Sequence, residues 1–155
     1  MDRLEKIREM INDILIKNSK IDERYSGFVH LYGVSSFSGM LALKRGLSAE
    51  LCAVAGMLHD IASYKTGNSF EHAKLGSIEA RKILNETKCF SEEEINIICT
   101  AIYNHSDKDK IDGIYDEVLK DADVLQHYLY NTNLKVFEKD KNRLNILLKE
   151  IGIEQ

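Results

Sequence analysis

The side chains best suited to chemistry in this 155-residue chain are its five histidines and the carboxylates near them. On a helix advancing 100° per residue, His30 shares a face with Val34, Phe37 and Leu41, and His72 aligns with Leu75, Gly76 and Ile83. His105 follows Ile98 and Ile102 on an apolar side, and His59 closes the apolar run LCAVAGML, with Asp60 next to it. His127 alone points away, about 140° from the centre of the Val118/Ala122/Leu125/Leu129 stripe. A single inward imidazole is ordinarily a core residue bonded to a backbone carbonyl. Four, on four different helices, are accounted for together by a metal cluster. Neutral imidazole nitrogens and carboxylate oxygens suit Mn, Fe, Co, Ni or Zn. A cation would also offset the several kcal/mol that burying an adjacent His–Asp pair costs. Asp121 and Asp123, in LKDADVLQ, each lie about 100° from the stripe's centre on opposite sides, so periodicity does not choose between them.

Helices must position these groups. Helical periodicity dominates, Pro is absent, and the pattern predicts about seven helices in an all-α, single-domain bundle spanning residues 1–155. The first covers roughly 2–17, the second 25–44, and the third runs from an N-cap at Ser48 through the doublet to about Ala62. SYKTGNS reads as a loop. Asn68 with Glu71, and Ser91 with Glu94, resemble capping boxes opening helices to about Glu86 and His105. Two more are expected at 114–130 and from about Leu134 to Ile151. The first and last helices offer either a homodimer surface or inward-packing faces.

Composition narrows the function. A net charge of −4 and a pI near 5.7 argue against broad nucleic-acid binding, which needs a basic face. Cys52, Cys89 and Cys99 lack CxxC spacing and read as reduced thiols of a cytoplasmic protein. MDRLEKIREM has no apolar core of a signal peptide, and no apolar run approaches the ~18 residues of a membrane span.

The order His30, His59-Asp60, Asp123 resembles the H…HD…D signature of the HD superfamily of metal-dependent phosphohydrolases. FVHLYGV, GMLHDIA and LKDADVLQ carry the resemblance, which covers about residues 25–131. It implies a metal site of His30, His59, Asp60 and Asp123, with Asp121 a supporting or surface residue. His72 in FEHAKLGSIEARKIL and His105 in AIYNHS resemble the further histidines of binuclear members, where they hold a second metal or, in other members, substrate phosphate. Ala62-Ser63-Tyr64 stands where some nucleotidases of the superfamily carry an acidic proton donor, and there is no GYP motif.

What the resemblance implies is hydrolysis of a nucleotide or other small phosphoester by a metal-activated water, with one or two divalent ions as cofactor. Two ions against two carboxylates leave about two positive charges to attract the anion, and Asp60 can offer one oxygen to each ion. Lys65 is a candidate phosphate ligand, with Lys108 and Lys110 behind it. The alternatives are a di-iron oxygenase of the same fold and a non-catalytic metal- or nucleotide-binding regulatory module.

Overall fold

The computed structural model of the chain describes residues 2–18 and 20–153 and contains eight helices and no strand among them. They are α1 (Arg3–Lys17), α2 (Ile21–Lys44), α3 (Ala49–Leu58), α4 (Ile61–Thr66), α5 (His72–Thr87), α6 (Glu92–Asn104), α7 (Ile114–Tyr130) and α8 (Glu138–Glu150). None of these helices is long and apolar enough to cross a membrane.

Local chemistry sets several of the boundaries. Asp2 and Ser48 accept hydrogen bonds from the backbone N–H of Glu5 and Leu51, capping α1 and α3. At α6 the reciprocal box expected of Ser91 and Glu94 is complete. The box expected of Asn68 and Glu71 does not form. Asn68 instead accepts from the N–H of Phe70, Glu71 adopts a left-handed φ of 47°, and α5 starts only at His72. Asx turns of this kind compete with capping for the same side chain. SYKTGNS is partly helical, because α4 runs to Thr66 and ends on left-handed Gly67, whose N–H returns to the Ser63 carbonyl. The last helix starts at Glu138 rather than near Leu134.

The most consequential departure is at the doublet. The third helix stops at Leu58, and the chain turns at Asp60 (φ −111°, ψ 11°) before α4. Neighbouring residues on one unbroken helix point 100° apart and cannot both face one centre. The corner removes that conflict. Asp60 stands at the N-cap of α4 but makes no side-chain cap bond, so its carboxylate stays available.

α2 and α3 pack closely, and a Cβ at Gly56 would meet the Ser35 Cα at 2.7 Å. Leu31, Val34 and Leu41 of α2 join Val54, Met57 and Leu58 of α3 and Val118, Ala122 and Leu125 of α7 in the core. Each large side chain so buried contributes roughly 1.5–3 kcal/mol of transfer free energy. Ile7, Ile11 and Leu15 of α1, and Leu144, Leu147 and Leu148 of α8, turn their apolar faces inward to the same core. Cys52 and Cys99 are buried free thiols, and burial pushes Cys52 up to about 12.

Candidate metal centre

Six side chains, from four helices and the α3–α4 corner, converge at one place. His30 comes from the middle of α2, His59 and Asp60 from the corner, and His72 from the first position of α5. His105 comes from the end of α6 and Asp123 from α7. His30, His59, His105 and Asp123 are buried, whereas Asp60 and His72 are partly exposed.

All four imidazoles are oriented the same way. Nδ1 of His59 donates to the Gly56 carbonyl (2.7 Å), that of His72 to Ser69 (3.2 Å) and that of His105 to Ile102 (2.6 Å). His30 Nδ1 meets Gln126 Oε1 at 2.7 Å. Every partner is an acceptor, so Nδ1 carries the proton and the Nε2 lone pair is left facing the centre. Nε2 of His30 and His59 lie 3.1 Å apart.

Asp60 lies between two imidazole pairs. Its Oδ2 is 3.5 Å from His30 Nε2 and 3.4 Å from His59 Nε2, and its Oδ1 is 3.5 Å from His105 Nε2 and 3.9 Å from His72 Nε2. Asp123 Oδ1 is 3.5 Å from His30, 3.8 Å from His59 and 3.3 Å from His127. Burial raises the Asp60 carboxyl, but the close approach of the His59, His105 and His30 imidazoles more than offsets this and holds it well below the usual range. Asp123 follows the same pattern, with His127, Lys108, His59 and His30 overcoming burial. Burial lowers His30, and Asp60, Asp123 and Gln126 more than reverse that.

The donors fit a metal ion. Oδ1 of Asp60 and Oδ1 of Asp123 are buried and have no hydrogen-bond partner, an expensive condition for a carboxylate oxygen. His30, His59 and Asp60 offer ligand atoms within 4.8 Å of one another, as do Asp60, His72 and His105. Two further sets, His59/His105/Asp123 and His30/Asp123/His127, meet the same limit.

His127 is exposed, in keeping with its position away from the core stripe, but it stands beside the centre. Its side chain is 65% exposed, yet its ring centroid is 4.9 Å from that of His30, at the rim of the centre. The signal was its i+4 spacing from Asp123, which places both on one face of α7. Gln126, the partner of His30, was also missed. Asp121 does not join the centre: Arg45 (2.6 Å) and Arg143 (2.8 Å) hold it. Lys65 pairs with Glu79 at 2.5 Å, and Lys110 lies near Asp112. Lys108 puts its ammonium 2.6 Å from Asp123 Oδ2.

Two hollows open beside Asp60. One, of about 280 Å³, is walled by Val29, Tyr64, Gln126, His127 and Tyr130. The other, about 320 Å³, runs past Glu23, Ser63, Tyr64 and His72. No lysine or arginine lines either.

The family model described as HD domain matches residues 27–128. The chain belongs to the HD-domain family. No curated protein and no solved structure matches it significantly. HD-domain proteins are in general metal-dependent hydrolases that bind divalent ions, and the histidine and aspartate groups of this one could hold a metal.

Proposed function

We propose that this HD-domain protein hydrolyses a small phosphoester, a nucleotide or another phosphorylated metabolite, using two divalent transition-metal ions. The observation that carries this reading is the placement of Asp60, one oxygen toward His30 and His59 and the other toward His72 and His105. His30, His59 and Asp60, joined by Asp123 through the oxygen that faces both histidines, would hold one ion, and Asp60, His72 and His105 the other. Divalent ions bound so acidify water and stabilise the attacking and leaving oxygens of a phosphoryl group.

The protein's own groups set the rest. The acceptors on each Nδ1 orient the four imidazoles so that Nε2 is the atom each would offer to an ion. Six donors with two negative charges leave two divalent ions undercompensated by about two charges, which favours an anion. Because no lysine or arginine lines either hollow, that excess is the main attraction for phosphate. Tyr64, Tyr130 and Val29 offer walls for the organic part of the ester, and His127 at the rim offers a hydrogen bond to a phosphoryl oxygen. Lys65 has no part in this while Glu79 holds it.

The test is release of phosphate from a broad panel of nucleotides and sugar phosphates by protein loaded in turn with Mn, Co, Ni and Fe. Turnover that is lost in Asp60→Asn supports the reading. Silence across the panel with every metal counts against it, and oxygen uptake by the anaerobically prepared Fe form would replace hydrolysis with oxygenase chemistry.

A further inference from the structure

Lys108 sits deeper than a loop lysine should. It follows α6 in a polar loop, yet its side chain is only 9% exposed. Its ammonium donates to Asp123 Oδ2 at 2.6 Å and to the His105 carbonyl at 3.2 Å. Its backbone is fixed from the other side, since the Lys108 carbonyl accepts from Arg143 Nε (3.2 Å) and Nη2 (2.9 Å). Arg143 is itself held by Glu117 and Asp121, and it belongs to α8, beyond the residues that match the family. The carboxylate of Asp123 is thereby divided. Oδ2 is taken by a buried cation, and Oδ1, which has no hydrogen-bond partner, faces His30 and His59.

We propose that Lys108 is a positioning residue that restricts Asp123 to one oxygen toward the metal centre, leaving room for water or substrate. This rests on the metal-binding reading above. A carboxylate free to bind a cation through both oxygens grips it more tightly and takes up a second coordination position. A fixed positive charge beside the site also weakens ion binding and strengthens the pull on an anion. Lys108 thus lowers metal affinity to keep the centre open. Arg143 extends the arrangement by anchoring the loop from which Lys108 reaches in.

The test compares wild type, Lys108→Met and Lys108→Arg in titrations with Mn(II) alone, read by metal affinity and by water-proton relaxation of the bound ion. Lys108→Met is expected to bind Mn(II) about tenfold more tightly or better, since one fixed charge is removed and one oxygen is freed. Its relaxation enhancement should fall, because fewer waters reach the ion. Lys108→Arg should stay near wild type in both. A merely structural lysine would give weaker binding on removal. Weaker or unchanged affinity in Lys108→Met overturns the proposal. So does tighter binding with unchanged relaxation, since Lys108 would then only neutralise Asp123 until an ion arrives. Should Lys108→Met lack a cooperative thermal transition, Lys108→Gln takes its place with the same expectations. A wild type that binds no Mn(II), Co(II) or Fe(II) would overturn the metal reading itself, an outcome distinct from any difference between variants.

Discussion

A methyl group added at Gly76 would meet the carbonyl oxygen of His59 at 2.5 Å and the Ile102 Cγ2 at 3.4 Å. Carbon and carbonyl oxygen rarely approach closer than about 3.3 Å, so a gap of about 0.8 Å must open between α5 and the α3–α4 corner. The atom in the way is backbone, so no side chain can rotate to relieve it. Overpacking of this kind costs about 1–3 kcal/mol. Alanine in place of a helical glycine returns roughly 1 kcal/mol, leaving a net loss of about 1 kcal/mol. For a chain of this size that lowers Tm by about 2–4 °C. The effect on the centre should be more selective than the effect on stability. His72 lies one turn before Gly76 on the same face, and its Nε2 is already the most distant of the four from Asp60, at 3.9 Å. Moving α5 outward should weaken binding of the second ion by about tenfold, and the first, held from α2, α7 and the corner that α5 moves away from, should stay within about twofold of wild type. Stepwise Mn(II) titration with a parallel urea melt reads both quantities. Gly39→Ala is the control, since its Cβ would meet nothing closer than the Ala49 carbonyl at 3.9 Å. If Gly76→Ala binds both ions like wild type and melts at the same urea concentration, the claim that this contact sets the spacing of the two histidine pairs is wrong.

Two further outcomes test the frame around the centre. Ser91→Ala removes half of the capping box on α6 and should cost about 1 kcal/mol in urea unfolding. The loss should leave metal affinity untouched, because His105 lies at the opposite end of that helix. The Arg45 guanidinium holds the Glu150 carboxyl below its ordinary 4.5, the hydrogen bond being the larger cause and burial opposing it. A carboxyl depressed in the folded state stabilises fully above its unfolded value and loses that contribution as pH falls through the folded one. Urea stability should therefore fall as pH drops below about 4.5 in wild type and fall less steeply in Arg45→Met. Equal slopes for the two proteins would remove this pair from the acid limb.

The sequence carried the helical class and the sites of most helices, because periodicity and caps are local signals. Ser91–Glu94 shows this at α6, and 114–130 coincides with α7 to the residue. Asn68–Glu71 shows the limit, since the same residue types serve turns as readily as caps. The break at His59-Asp60 carried no Gly or Pro to announce it. What demands it is convergence of two adjacent side chains on one point, a tertiary requirement that periodicity does not encode. The inward histidines were legible as apolar-face residues, but their convergence was not, and the outward His127 reaches the rim of the centre through its i+4 spacing from Asp123, which an angle measured from the core stripe does not reveal. Asp121 and Asp123 were indistinguishable by angle, and the structure separates them through Arg45 and Arg143, which hold only the former. The hold of Lys108 on Asp123 depends on a loop conformation fixed by α8, and no short-range pattern announces that.

The bridging placement of Asp60 is the central claim, and a count of bound metal tests it most directly. Wild-type protein saturated with Mn(II) or Co(II) and freed of excess should carry two ions per chain by elemental analysis, and Asp60→Ala at most one. Two ions retained by Asp60→Ala, or only one bound by wild type, would contradict it.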